Sequence, residues 1–439
     1  MTKLLSFSSL GTAHDAPRFW IEGRRLETLG FAAGTPIEVQ LEPRGLIITP
    51  AVLSDRMVSL RRSAGGSRPI IDVNSHRLLG HLAEYREVKV TGSVGRLSIT
   101  PSVRAFNIVR SLSAPRPFRV LDLFCGGGTC SDALGGNPNF RVVGGVEIEP
   151  DFADEFTAKH PEAELILGDF RRMLAEELPE FDMLVAGIPC VEHSMQGRAK
   201  KGLAGRPELG ELGDIYVHVL ALVAARMPLA VAIENVPSFG TSLAGMTMVA
   251  NLKRLGYAVE ENMLEPNTAW NEPTTRNRWV CIATLKPGFR LTIPNTPFTG
   301  RVGDFFDAPD AVRDQADVAR IATTIEGLRR HNERHAAQGH GFAMKVLTGD
   351  ETAAPTLCKS YHKCNSSGFF VESGRGPRML RRDEIARLQG QTILTEHYAT
   401  AVQMMGQGVL TRVFREIFRQ LGDFLGGDGA NRKPAEARF

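Results

Sequence analysis

Hydrophobic and polar positions change rhythm along this chain. Over the first hundred residues apolar and polar positions alternate: Ile37, Val39 and Leu41, then Val88 and Val90, then Leu97 and Ile99. Such period-two alternation marks strands with one buried face. From Phe118 the rhythm differs. Near-continuous apolar runs (RVLDLF, RVVGGVEIE, FDMLVAGIP and AVAIENV) are separated by segments with helical spacing, at Ser131 to Leu134, Asp151 to His160, Arg171 to Glu177 and Leu212 to Met227. In the last of these Leu212, Ile215, Val219, Leu222 and Val223 share one face. Alternating buried strands and helices predict an α/β fold on a parallel sheet. Ligands of such sheets lie beyond the carboxyl ends of the strands, so the chemistry is expected there.

The N-terminal part contains an internal repeat. One copy runs from Arg18 to Pro50 and the other from Arg68 to Pro101. Each has a short apolar opening, a leucine-rich helical turn, a V-x-V strand, a Gly-containing turn and a closing strand that ends in Thr-Pro. The matched order favours a duplication over two unrelated hairpins. Between the copies, SDRMVSLRRSAGGSRP reads as a polar linker. The first copy resembles the small swapped-hairpin β-barrels of the AbrB and SymE type. That likeness implies either an extra DNA contact or dimerisation.

Composition narrows the class without naming it. The chain has 439 residues, enough for more than one domain, and a formal net charge of +3. A nucleic-acid partner is permitted by that charge but not demanded. The most apolar stretch, Val217 to Ile233, is interrupted by Arg226 and Pro228, so no membrane span is predicted. The opening MTKLLSFSSLG has too short an apolar run for a signal peptide. Six cysteines with no CxxC pair suggest neither a disulfide framework nor a zinc site, and a cytoplasmic setting follows.

The strand ends carry the candidate chemistry. In DLFCGGGTCSDAL, glycines 126, 127 and 128 follow the first apolar strand and permit close approach of a ligand to the backbone. Glu147 ends the next strand, where an acid commonly holds ribose hydroxyls. Asp169 ends the third, placed to accept a hydrogen bond from an adenine amino group. One glycine turn and two strand-end acids read together as an adenosine site, and the absence of a GKS/T sequence argues against a P-loop. Cys190 follows the fourth strand. An isolated cysteine is more often a small buried hydrophobe, but this one stands on the side expected for the ligand. Glu234 closes the next apolar strand, where a carboxyl is costly without a partner or a task. Arg276 and Arg278 precede another apolar run.

From Phe118 to Leu425 the order of these segments resembles the DNA (cytosine-5)-methyltransferases. DLFCGGG resembles motif I of that family, VEIEPDFADEFTAKHP motif II, GDF motif III, GIPCVEHS motif IV, ENV motif VI, TTRNRW motif VIII, RMLRRDEIARLQG motif IX and QMMGQGV motif X. APTLCKSYHKCNSSGFF resembles the segment before motif IX. The likeness implies a Rossmann-like sheet that uses S-adenosylmethionine, with double-stranded DNA as partner and no metal. It implies Cys190 as nucleophile on cytosine C6, Glu234 on N3 and the exocyclic amine, and Arg278, supported by Arg276, on the O2 side. The cofactor contacts it implies are Asp122, Phe124, Gly126, Gly128, Glu147, Ile148, Asp169, Phe170, Pro189 and Gln407, with Phe124 packing on the adenine.

The expected organisation is a duplicated β-rich domain over 1–105 (copies 18–50 and 68–101) and a catalytic domain over 116–285. A less regular target-recognition region over 286–376 includes a basic, His-rich helical stretch from Glu326 to His340. Motifs IX and X over 377–425 return to the catalytic domain, and 426–439 form a disordered tail. Four positions depart from the family pattern: Val191, Thr274, Gln391 and Gln407 stand where Gln, Gln, Phe and Asn are usual. Gln407 carries a minor expectation of an altered donor or substrate. Two other readings stay open: an RNA (tRNA) cytosine-5 methyltransferase, and a DNA-binding regulator with a vestigial methyltransferase fold.

Overall fold

The computed structural model describes residues 4–63, 66–113, 117–189, 210, 212–337, 344–364 and 368–426. The chain divides into two compact units, Met1–Ala114 and Pro115–Phe439.

In the first unit the alternating segments form β1 (Leu4–Ser9), β2 (Gly11–Ala13), β3 (Ala16–Glu22), β4 (Ile37–Glu42), β5 (Gly45–Pro50), β6 (Ser59–Ser63), β7 (Gly66–Asn74), β8 (Glu87–Ser93) and β9 (Arg96–Pro101). A five-stranded sheet is ordered β1-β8-β9-β5-β4 and a four-stranded sheet β2-β3-β7-β6. The two copies interlock. β3 of the first pairs antiparallel with β7 of the second, Ile21 opposite Ile71. β5 pairs antiparallel with β9, Ile47 opposite Ser98. Phe19, Ile37, Leu46, Ile48, Ile71, Val73, Val88, Val90, Leu97 and Ile99 fill one core. The stretch expected to be a linker is not one throughout: it supplies β6, an edge strand whose approach buries Val58. Its polar composition hid it, because β6 pairs on one side only and buries little else.

The second unit is built on β10 (Phe118–Leu123), β11 (Phe140–Glu147), β12 (Glu164–Leu167), β13 (Met183–Gly187), β14 (Ala230–Asn235), β15 (Ala258–Leu264) and β16 (Arg278–Thr284), ordered β12-β11-β10-β13-β14-β16-β15. The expected parallel sheet is in fact mixed, because β16 runs antiparallel to both β14 and β15. β15 reaches β16 through residues 265–277, which hold one turn of helix, Pro266–Ala269, and the two strands pair antiparallel along their whole length. Helices Thr129–Leu134, Pro150–Lys159 and Ile215–Arg226 occupy segments read as helical. Arg171 to Glu177 instead forms two single 3₁₀ turns, Phe170–Arg172 and Ala175–Glu177. Asp169 caps the first of them by accepting from the Arg171 N–H.

The region beyond β16 is more regular than its sequence suggested. It holds the helix Ala311–Ala337 and a small sheet of β17 (Lys345–Leu347), β18 (Phe369–Glu372) and β19 (Pro377–Arg378). That helix is polar on most of its surface and is anchored by charge. Arg381 reaches Asp314 at 2.8 Å and Asp317 at 2.9 Å, and Arg378, itself held by Glu384, lies 3.4 Å from Asp314. Finally the helix Thr411–Gly426 returns and packs on Thr129–Leu134, burying Phe414, Ile417, Phe418 and Leu421.

Candidate active site

The backbone turns sharply where β10 ends. Phe124 takes a φ of +58° and Gly126 of +54°, and Gly128, at +80°, starts the helix Thr129–Leu134. Only glycine adopts such angles at little cost, which is why the turn is glycine-rich. A Cβ at Gly126 would meet nothing within 4 Å, whereas one at Gly128 would strike His160 at 2.9 Å. The outer side of the turn therefore opens on free space and the inner side is packed.

Glu147, at the end of β11, holds this turn in shape. Its Oε2 accepts from the Gly126 N–H at 2.8 Å, and its Oε1 accepts from Ile148 and Glu149 at 2.8 and 2.9 Å. Ile148 beside it is 57 % exposed. The ring of Phe124 meets Phe170 edge-on, with centroids 5.6 Å apart. Asp122 lies behind the turn, buried, and accepts from the Ser131 hydroxyl at 2.7 Å. Burial pushes its carboxyl up to about 7, against the opposing hydrogen bond from Ser131. Asp169 is engaged by Arg171 through bonds of 2.8 to 3.2 Å, and that partner holds its carboxyl below the usual range.

Across the sheet, Gly187 of β13 stands in register with Glu234 of β14. Asn235 ties the two strand ends by donating to the Ile188 carbonyl at 3.1 Å. Pro189 is the last described residue of this segment. Cys190 and Val191 lie outside the described residues. Glu234 is nearly buried, and its Oε1 receives the Nε of Arg278 at 2.6 Å. The carboxylate and guanidinium that the sequence singled out are thus brought together at the ends of β14 and β16.

Arg276 is not brought to that pair. Its guanidinium donates to the carbonyls of Leu357 at 2.9 Å, Gly406 at 3.0 Å and Gly408 at 2.7 Å, and the residue is 2 % exposed. Residues two apart on a strand would share a face. Here the Asn277 N–H donates to the Thr275 carbonyl at 2.8 Å, a three-residue turn centred on Arg276 that separates the two guanidiniums.

Motif X lies against motif I. The Val409 N–H donates to Thr129 Oγ1 at 3.2 Å, and a Cβ at Gly408 would meet that oxygen at 2.7 Å. Gln391 donates to the Val409 carbonyl at 2.6 Å and Glu155 accepts from the Leu394 and Thr395 N–H groups. Gln407 is exposed, its amide donating to the Gln403 carbonyl at 3.3 Å. Thr274 is buried and bridges to Ala354. Sequence reading missed Thr129, Glu155 and the grip of Arg171 on Asp169. Only the last had a local signal, an Asp two residues before an Arg at the start of a short turn.

Comparison with known proteins places this geometry. The pattern of the C-5 cytosine-specific DNA methylase family matches residues 118–423. The Type II methyltransferase M.NlaX of Neisseria lactamica is 28% identical over 316 residues, covering 69% of this chain and 96% of that protein. The Type II methyltransferase M.MspI of Moraxella sp is 24% identical over 320 residues, covering 69% and 70%. Among solved structures, the Entamoeba histolytica methyltransferase EhMeth superposes with a TM-score of 0.56 at 15% identity, covering 72% of this chain and 99% of that one. The S. pombe Dnmt2 methyltransferase gives 0.56 at 16% identity, covering 72% and 100%. These two establish the likeness of fold. With the family pattern spanning the glycine turn, the Glu234–Arg278 pair and the returning C-terminal helix, the chain belongs to the C-5 cytosine-specific DNA methylase family.

Proposed function

We infer that this DNA (cytosine-5)-methyltransferase works on a cytosine turned out of the duplex, with Cys190 as nucleophile and the Glu234–Arg278 pair as the clamp on the base. The observation that carries the reading is the 2.6 Å contact between Glu234 and Arg278 at the sheet end from which the chain runs into Cys190. A buried carboxylate held by a guanidinium on one oxygen keeps acceptor capacity for an exocyclic amine, and for a ring nitrogen once that nitrogen carries a proton.

The residues on the β10–β11 side fit an adenosyl group. Free space beside Gly126, the exposed Ile148 and the Phe124–Phe170 corner offer an apolar cradle, and Glu147 retains acceptor capacity for ribose hydroxyls. S-adenosylmethionine, when bound there, supplies an electrophilic methyl group to C5.

The chain's own residues do the rest. The Cys190 thiolate adds to C6, which makes C5 electron-rich. Glu234 accepts from the exocyclic amine and, in the adduct protonated at N3, from the N3–H, and Arg278 faces the O2 side, where negative charge develops. After transfer the C5 proton leaves and the Cys190–C6 bond breaks, restoring the ring. C6 is out of reach inside a stacked duplex, so the base must flip. The 286–376 region, with the long polar helix, is proposed to read the flanking sequence.

The N-terminal unit is proposed as an additional DNA contact rather than a dimer interface. The pairing that each copy offers is taken by the other copy of the same chain. Residues 1–114 hold 15 Lys/Arg against 9 Asp/Glu, a net +6, so that the remaining residues carry −3 of the chain's +3. The positive charge that favours a phosphate backbone thus sits outside the catalytic unit.

Incubation with duplex DNA containing 5-fluorocytosine and S-adenosylmethionine tests the reading. A denaturation-resistant protein–DNA adduct is expected, abolished by Cys190→Ser. An adduct that forms equally well with Cys190→Ser would overturn it.

A further inference from the structure

We propose that Arg276 is a positioning residue: it fixes the Gly406–Val409 turn against Thr129, and so sets one wall of the adenosyl pocket, while Arg278 serves the base. The inference rests on the functional reading above but assigns Arg276 to the opposite pocket.

Three carbonyls converge on one buried guanidinium, those of Leu357, Gly406 and Gly408. Gly406 lies in the last turn of the helix Tyr398–Gln407, where carbonyls have no partner within the helix and a cation is favoured. Arginine suits the place because its planar fork reaches several acceptors at fixed angles; a lysine ammonium cannot span them. The turn has no slack. A Cβ at Gly406 would meet Lys359 N at 2.5 Å, and one at Gly408 would meet Thr129 Oγ1 at 2.7 Å.

The turn abuts the start of the helix that follows the glycine turn. The Val409 N–H bonds Thr129 Oγ1 at 3.2 Å, one residue after Gly128, whose left-handed backbone closes the glycine turn. Gln391 grips the Val409 carbonyl from the other side at 2.6 Å. Releasing Arg276 frees the Gly406–Gly408 carbonyls from the 357–359 segment and lets the turn drift from Thr129. The Glu234–Arg278 contact, where β14 ends and β16 begins, shares none of those bonds.

The test uses full-length Arg276→Ala, Arg276→Lys and Arg278→Ala. S-adenosylhomocysteine affinity is measured by calorimetry, and adduct formation is timed on 5-fluorocytosine DNA with saturating S-adenosylmethionine. For Arg276→Ala, affinity should fall about 10-fold or more, the equivalent of one or two net hydrogen bonds. Its adduct rate at saturation should stay within about 3-fold of the parent. Arg276→Lys should fall between, and it serves alone if the alanine variant does not fold. Arg278→Ala should show the converse split. The proposal is overturned if Arg276→Lys keeps the parent affinity while losing adduct rate as Arg278→Ala does. Equal loss in both pockets, in step with the melting temperature, would also overturn it. Failure of the methyltransferase reading is separable, since the parent enzyme would then form no adduct.

Discussion

Glu234 and Arg278 meet at 2.6 Å although they come from strands that run in opposite directions, β14 and β16. Antiparallel pairing puts the end of β14 beside the start of β16, so a carboxylate closing one and a guanidinium opening the other face each other although residues 236–277 lie between them in the chain. Glu234→Gln keeps the shape but not the charge, and it leaves Arg278 without its counter-ion. Methyl transfer in a single turnover should slow by roughly 10² to 10⁴, the span of a lost acid–base group. DNA affinity should change little. A variant that transfers at the parent rate would remove Glu234 from the chemistry.

Gly126 combines a φ of +54° with open space where a side chain would go. Gly126→Ala is therefore strained but not sterically blocked, and should cost about 1–2 kcal/mol of stability. The added methyl projects into the space proposed for the adenosyl group, so S-adenosylhomocysteine binding should be lost well beyond what that strain explains. Parallel chemical denaturation and calorimetry separate the two effects. Unaltered binding would mean that the ligand does not approach this turn.

The glycine turn, Glu147 and the Glu234–Arg278 pair were legible in the sequence because each stands at the end of an apolar run, and strand ends are where a sheet gathers its chemistry. Arg276 was not legible. Its spacing from Arg278 suggests a shared face, and only the bond from Asn277 to Thr275 undoes that. The position of Asp169 at a strand end suggests an acceptor for an adenine amino group, but Arg171 engages it through a turn too short to leave a periodic signal. The helix Ala311–Ala337 was partly hidden because arginine–aspartate bonds anchor it, with little apolar stripe beyond Ile321 and Ile325. The mixed sheet escaped notice because β16 is as apolar as its parallel neighbours.

Arg62 and Arg68, on the paired strands β6 and β7, are exposed and have no ion-pair partner among the described residues. If the N-terminal unit contacts phosphates, Arg62→Ala with Arg68→Ala should lower the slope of log K against log salt by about one per lost contact. Affinity should weaken alike for DNA of any sequence, and turnover at saturating DNA should hold. A slope equal to the parent's would take these two arginines out of DNA binding.

Asp122 gives the fold a pH dependence whose sign is fixed by burial. Its carboxyl is pushed up to about 7 from an ordinary 3.8, chiefly because desolvation penalises the charged form. Below pH 4 both folded and unfolded chains hold the proton. Between about 4 and 7 the folded chain retains a proton that the unfolded chain has released, so the folded state is favoured least at the upper end. Stability from this group is thus greatest at acid pH and declines as pH rises towards 7. Asp122→Asn cannot ionise, and its amide oxygen can still accept from Ser131. The variant should therefore gain on the parent between pH 5 and pH 8 in denaturant unfolding. Parallel profiles for the two proteins would mean that the carboxyl is ionised throughout, and that the contact with Ser131 outweighs burial.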